Sequence, residues 1–72
     1  MMTVSSLQAI ASAGGSVIVN ASEFTVSSLR SIASAGKASR AKLIIKDASK
    51  LTSSSCQSIA SANPGYVIFD FA

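Results

Sequence analysis

SLQAIASAG at Ser6 to Gly14 sets the reading of this chain, because it returns as SLRSIASAG at Ser28 to Gly36 and as SCQSIASAN at Ser55 to Asn63. Three near-copies of one segment in 72 residues mark a repeat protein. A threonine stands three residues ahead of each Ser-Leu or Ser-Cys pair, at Thr3, Thr25 and Thr52. A threonine hydroxyl can accept from a free backbone N–H of a first helical turn, so all three are expected N-caps. Met2, Phe24 and Leu51 precede the threonines, and Leu7, Leu29 and Cys56 fall at the fourth helical position. That is the spacing of a hydrophobic staple, used three times. Gly14, Gly36 and Asn63 close the copies. Both residue types enter the left-handed conformation that ends a helix, and Pro64 bars the third helix from continuing.

Between the caps the apolar spacing is helical. Val4, Leu7, Ile10 and Ala11 share one face, as do Val26, Leu29, Ile32 and Ala33. In the third copy Ser53 replaces the valine, leaving Cys56, Ile59 and Ala60. The other faces are mostly serine, a mediocre helix former, so these helices should depend on packing. Each is followed by an apolar run, Val17-Ile18-Val19, Leu43-Ile44-Ile45 or Tyr66-Val67-Ile68-Phe69, that leads into Asn20, Asp47 or Asp70. Such runs read as strands ending in polar turns. The expected helices cover 1–13, 25–35 and 53–62, and the expected strands cover 17–20, 43–46 and 66–71. Lys37 to Ala41 is an insertion, read as a loop.

A turn, a helix and another turn join each strand to the next. Such crossovers require parallel strands and favour the right hand. Like units in succession predict strand order one, two, three with all helices on one side. The expected fold is α/β, a short solenoid of three helix–strand repeats with a parallel three-stranded sheet. It forms a single domain over 1–72, with units 1–24, 25–51 and 52–72.

Val17-x-Val19-x-x-Ser22-x-Phe24 and Ile44-x-Lys46-x-x-Ser49-x-Leu51 resemble the leucine-rich repeat pattern L-x-L-x-x-N-x-L. A helix with a Leu/Ile-Ala pattern follows, as in the α/β horseshoe type similar to ribonuclease inhibitor, and Asn63-Pro64 before the last strand resembles that type too. Serine replaces the family's asparagine at Ser22 and Ser49, and Lys46 stands where leucine is usual. The resemblance implies protein binding.

The strand runs carry a further expectation. Three consecutive apolar residues suit strands covered on both faces, yet helices on one side cover one face only. The last strand is also aromatic and nearly uncharged, and an exposed edge of that kind invites pairing. Self-association is therefore expected, most simply as a two-fold homodimer, with Tyr66, Ile68, Phe69 and Phe71 as the contact residues. Another protein could take the same place.

Net charge is +3, and all six basic residues, Arg30, Lys37, Arg40, Lys42, Lys46 and Lys50, lie in the middle unit. They are a candidate site for an anionic partner such as nucleic acid. The favoured reading is that they solubilise a chain rich in serine and alanine.

Nothing in the sequence points to catalysis. There is no histidine for a general base or a metal cluster, and the three acids, Glu23, Asp47 and Asp70, are spread one per unit. Asp47 and Asp70, equivalent to Asn20, are expected to form a polar row and cap turns. Cys56 replaces a leucine of the other copies and reads as a small buried hydrophobe. No enzyme, cofactor or metal is expected. No apolar run is as long as a membrane span, and a cytoplasmic location is the expectation.

Overall fold

The computed structural model describes residues 3–72. Their order is α1 (Val4–Ser12), β1 (Val17–Asn20), a 3-10 turn (Ala21–Glu23), α2 (Val26–Ala35), β2 (Leu43–Lys46), a second 3-10 turn (Ala48–Lys50), α3 (Ser53–Ala62) and β3 (Val67–Phe69). The three strands form one parallel sheet in the order β1-β2-β3. Helix α2 lies between α1 and α3 and touches both. The fold is mixed α/β, a layer of helices against one face of a parallel sheet.

The repeated threonines set the helix starts. Thr3, Thr25 and Thr52 accept from the backbone N–H of Ser6, Ser28 and Ser55 at 3.2, 3.1 and 3.2 Å. Each threonine hydroxyl also donates to the hydroxyl of that same serine at 3.0 Å. The first serine of every repeated segment thus gives its N–H to the threonine hydroxyl and takes that hydroxyl's proton on its own oxygen. Phe24 and Leu51, two of the three expected staple residues, pack against the core; the third, Met2, lies outside the described residues. The first helix is shorter than the expected 1–13: it begins at Val4 behind an extended Thr3 and ends at Ser12, and residues 1 and 2 lie outside the described residues.

The three chain reversals after the helices differ. After α1, Gly14 takes φ +98, the left-handed conformation expected of it. Gly36 does not: its φ is −85. A side chain there would place Cβ 3.2 Å from Ala41 Cβ and 3.3 Å from the Ala41 carbonyl, tighter than ordinary contact, so the turn would have to give by a few tenths of an ångström to accept it. The left-handed residue of that turn is Arg40, φ 60, inside the insertion, which is a turn as expected. After α3, Asn63 is buried with φ −151 and ψ 73, not left-handed, and Gly65 takes the positive φ of 84.

Side chains in these turns tie neighbouring units together. Ser39 Oγ, in the insertion, donates to the Ala11 carbonyl at the end of α1 (2.6 Å) and to the Gly36 carbonyl (3.2 Å). Asn63 Nδ2 donates to the Ala41 carbonyl at 3.0 Å. Carbonyls left over at helix ends and turns need such partners when buried. The insertion is therefore part of the packing between α1 and α2.

The core lies between the layers. Leu7, Leu29, Ile32, Ala33 and Ile59 from the helices meet Val19, Leu43 and Ile45 from the sheet, with Ala21 and Ala48 from the 3-10 turns. Leu29, Ile45 and Ile59 are fully buried. Cys56 is half-buried rather than buried, because no further helix covers that side of α3 among the described residues.

Two expectations about the strands need correction, and a third feature bears on their outer face. β3 is shorter than 66–71, since its pairing with β2 runs from Val67 to Phe69. Within one chain the helices cover one face of the runs and leave the other open: Val19, Leu43 and Ile45 point to the helices, whereas Ile18 is 63% exposed and Ile68 44% exposed. The alternation of a one-sided sheet is present, with isoleucine at the outward position. The second correction is that Asn20 lies beside Lys46, not Asp47. Asp47 is an extra residue held at φ 60 between β2 and its 3-10 turn. The strand register accordingly pairs Val17 with Leu43, whereas the leucine-rich pattern aligned it with Ile44. Asn20 and Asp70 do cap turns, accepting from the N–H of Ser22 (2.9 Å) and Ala72 (3.0 Å). Asp47 makes no such bond and instead pairs with Lys50 at 3.5 Å.

Candidate interaction surface

The uncovered sheet face follows from strand alternation. Val17, Leu43 and Val67 are register partners, so Ile18, Ile44 and Ile68 also align across the sheet. Side chains one step further along a strand point the other way. The three isoleucines thus form one continuous row on the face away from the helices. Ile18 and Ile68 are exposed, and Ile44, between them, is half-buried. Polar and amphipathic side chains flank the row two residues away on each strand: Ser16 and Asn20, Lys42 and Lys46, Tyr66 and Asp70. An apolar strip with a polar rim is the anatomy of an interaction surface.

The four residues expected to make the contact divide between two faces. Tyr66 and Ile68 belong to the open face. Phe69 is half-buried against the core on the helix side, and Phe71 stacks on it with ring centroids 6.1 Å apart and planes at 23°. Phe71 is 58% exposed. Ile68 therefore has Ile18 and Ile44 as its partners rather than the two phenylalanines. The sequence signal for those two was present, as the middle residues of the first two apolar runs.

The six basic residues also separate. Lys42 and Lys46 flank Ile44 on the open face, by strand alternation. Arg40 sits in the turn after α2, and Lys50 ends the second 3-10 turn beside Asp47. Arg30 and Lys37 line a shallow, open hollow of about 450 Å³ on the helix layer, together with Ser27, Ser31, Ser34 and Ser61. The hydroxyl of Ser61 is already engaged there, donating to the Gln57 carbonyl at 2.6 Å. The middle unit thus spreads its charge over both sides of the molecule.

Among the described residues, no His, Cys, Asp and Glu side chains gather in threes as a metal site would need, and no helix is long and apolar enough to cross a membrane. No protein-family model matches the chain, and no curated protein or solved structure matches it.

Proposed function

We propose that this protein is a non-enzymatic structural or protein–protein interaction module, a short α/β solenoid that self-associates through the apolar face of its sheet. The observation that supports this is the row Ile18–Ile44–Ile68, continuous across three strands and open to solvent at both ends. Apolar surface of this kind gains free energy when a partner removes it from water. A second copy supplies a matching row, and two-fold stacking closes the assembly. Lys42 and Lys46 then stay at the rim, where their charges remain hydrated.

Light scattering over a concentration series tests the reading. The wild type is expected to gain mass with concentration, and Ile44→Lys to reach a clearly lower mass at each concentration while keeping its circular dichroism spectrum. Equal masses for the two chains would refute face-to-face association.

A second reading has Arg30 and Lys37 bind an anionic partner such as nucleic acid, supported by their sharing one hollow with four serines. Such binding would weaken steeply with salt. Binding to a labelled single strand that is absent at low salt, or unchanged in Arg30→Gln, would remove it.

A further inference from the structure

The three copies place the same residues at the same helical positions, yet their burial differs in a directional way. Ile32 and Ile59 are 1% and 0% exposed, whereas Ile10 is only half-buried. For the alanine that follows, the order reverses: Ala11 and Ala33 are 3% and 1% exposed, and Ala60 is half-buried. Among the described residues, the isoleucine is open in the copy with no helix before it, and the alanine is open in the copy with no helix after it. Each unit therefore carries an isoleucine flank toward the unit before it and an alanine flank toward the unit after it. In both packings, α1–α2 and α2–α3, the isoleucine of the later helix and the alanine of the earlier one are buried.

Each end of the molecule presents one side of such a packing. At one end α1 presents Ile10, and at the other α3 presents Ala60, with half-buried Cys56 beside it. The sheet matches, since β1 and β3 are its two outer strands. Within the sheet, the N–H of Val17 donates to the Lys42 carbonyl (3.1 Å) and the N–H of Leu43 donates to the Tyr66 carbonyl (2.9 Å). Val17, Leu43 and Val67 are register partners, so the next step of this pattern has the Val67 N–H donate to a Ser16 carbonyl. That carbonyl belongs to β1, on the sheet edge of another copy.

We propose that copies of this chain dock head to tail, with β3 and α3 of one copy against β1 and α1 of the next, reproducing the joint between its own units. The interface is heterologous, so it propagates into a ring or a filament rather than closing as a dimer. It uses the two ends of the molecule and goes beyond association through the isoleucine row.

The test is made in the Ile44→Lys background, which disables the open face and leaves the ends intact. In that background the mass by light scattering is expected to rise past that of a dimer as concentration increases. Adding Ile10→Arg or Ala60→Arg spoils opposite ends, and each chain alone is expected to stay monomeric. An equimolar mixture is expected to form a one-to-one dimer, because each variant keeps the end the other has lost. The Val67 amide, measured by hydrogen exchange, is expected to become at least tenfold more protected in the assembled Ile44→Lys chain than in the dilute one. A monomeric Ile44→Lys chain at all concentrations, or a mixture that remains monomeric, would overturn head-to-tail docking and leave face association standing. Arginine variants that assemble as their parent does would also overturn it.

Discussion

Replacing one isoleucine in each copy by valine measures what position alone cannot. Ile10, Ile32 and Ile59 occupy one site of the repeated segment, so reasoning from the repeat gives all three the same cost. The structure gives them different costs, because Ile32 and Ile59 are sealed between helices and Ile10 is half in solvent. Ile→Val removes one methylene and leaves a small void, which costs about 1 kcal/mol at a sealed site. At Ile10 the lost group was already half solvated and the void opens to water, so roughly half that is expected. A domain of this size has on the order of 4–11 kcal/mol of stability, so each single variant remains folded. With a urea slope of about 1 kcal/mol/M, the midpoint should fall by about 1 M for Ile32→Val and Ile59→Val. For Ile10→Val it should fall by about 0.5 M or less. Far-ultraviolet circular dichroism in urea, at low micromolar chain concentration, reads all three. Three equal shifts at constant slope, or the largest shift at Ile10, would refute the directional packing from which the cost was worked.

Four further outcomes follow from local geometry. Thr25→Ala removes the bond from the Ser28 N–H and should cost about 1 kcal/mol in the same urea titration. Gly36→Ala should cost about 1–3 kcal/mol by forcing Cβ into Ala41. Gly14→Ala, with open space around it, should cost only the roughly 1–2 kcal/mol of a left-handed alanine; a filled Gly36 that proves harmless would overturn the packing account of that turn. Asn63→Ala leaves the Ala41 carbonyl without its donor and should cost about 1–3 kcal/mol, measured as a loss of thermal midpoint.

Association links these measurements to the proposed assembly. Ile10 and Ala60, half-buried in the single chain, would lose their remaining exposure when a neighbour docks as proposed. Their substitutions should therefore become more costly as chain concentration rises, whereas those at Ile32 and Ile59 should not, since binding adds stability only to the folded form it contacts.

By itself the sequence determined the three helices, their threonine caps, the three strands and their parallel order. These rest on local chemistry: a hydroxyl that caps, a helical apolar period, a β-branched run, and crossovers that leave no other strand direction. It also marked the strand runs as having more apolar surface than a one-sided sheet should show. What it did not determine was direction. The middle residue of Val17-Ile18-Val19 looks like its neighbours, and only strand alternation within the assembled sheet turns Ile18 outward to line up with Ile44 and Ile68. Gly36 looks like Gly14, and only the approach of Ala41 gives it a different role. Asp47 looks like Asn20, but its left-handed backbone makes it an extra residue and moves Lys46 into the register position. The isoleucines of the three copies are one residue type at one helical site. Which of them is sealed and which is open depends on the helix beside it, and that is decided by tertiary packing, because burial belongs to neighbours rather than to a residue.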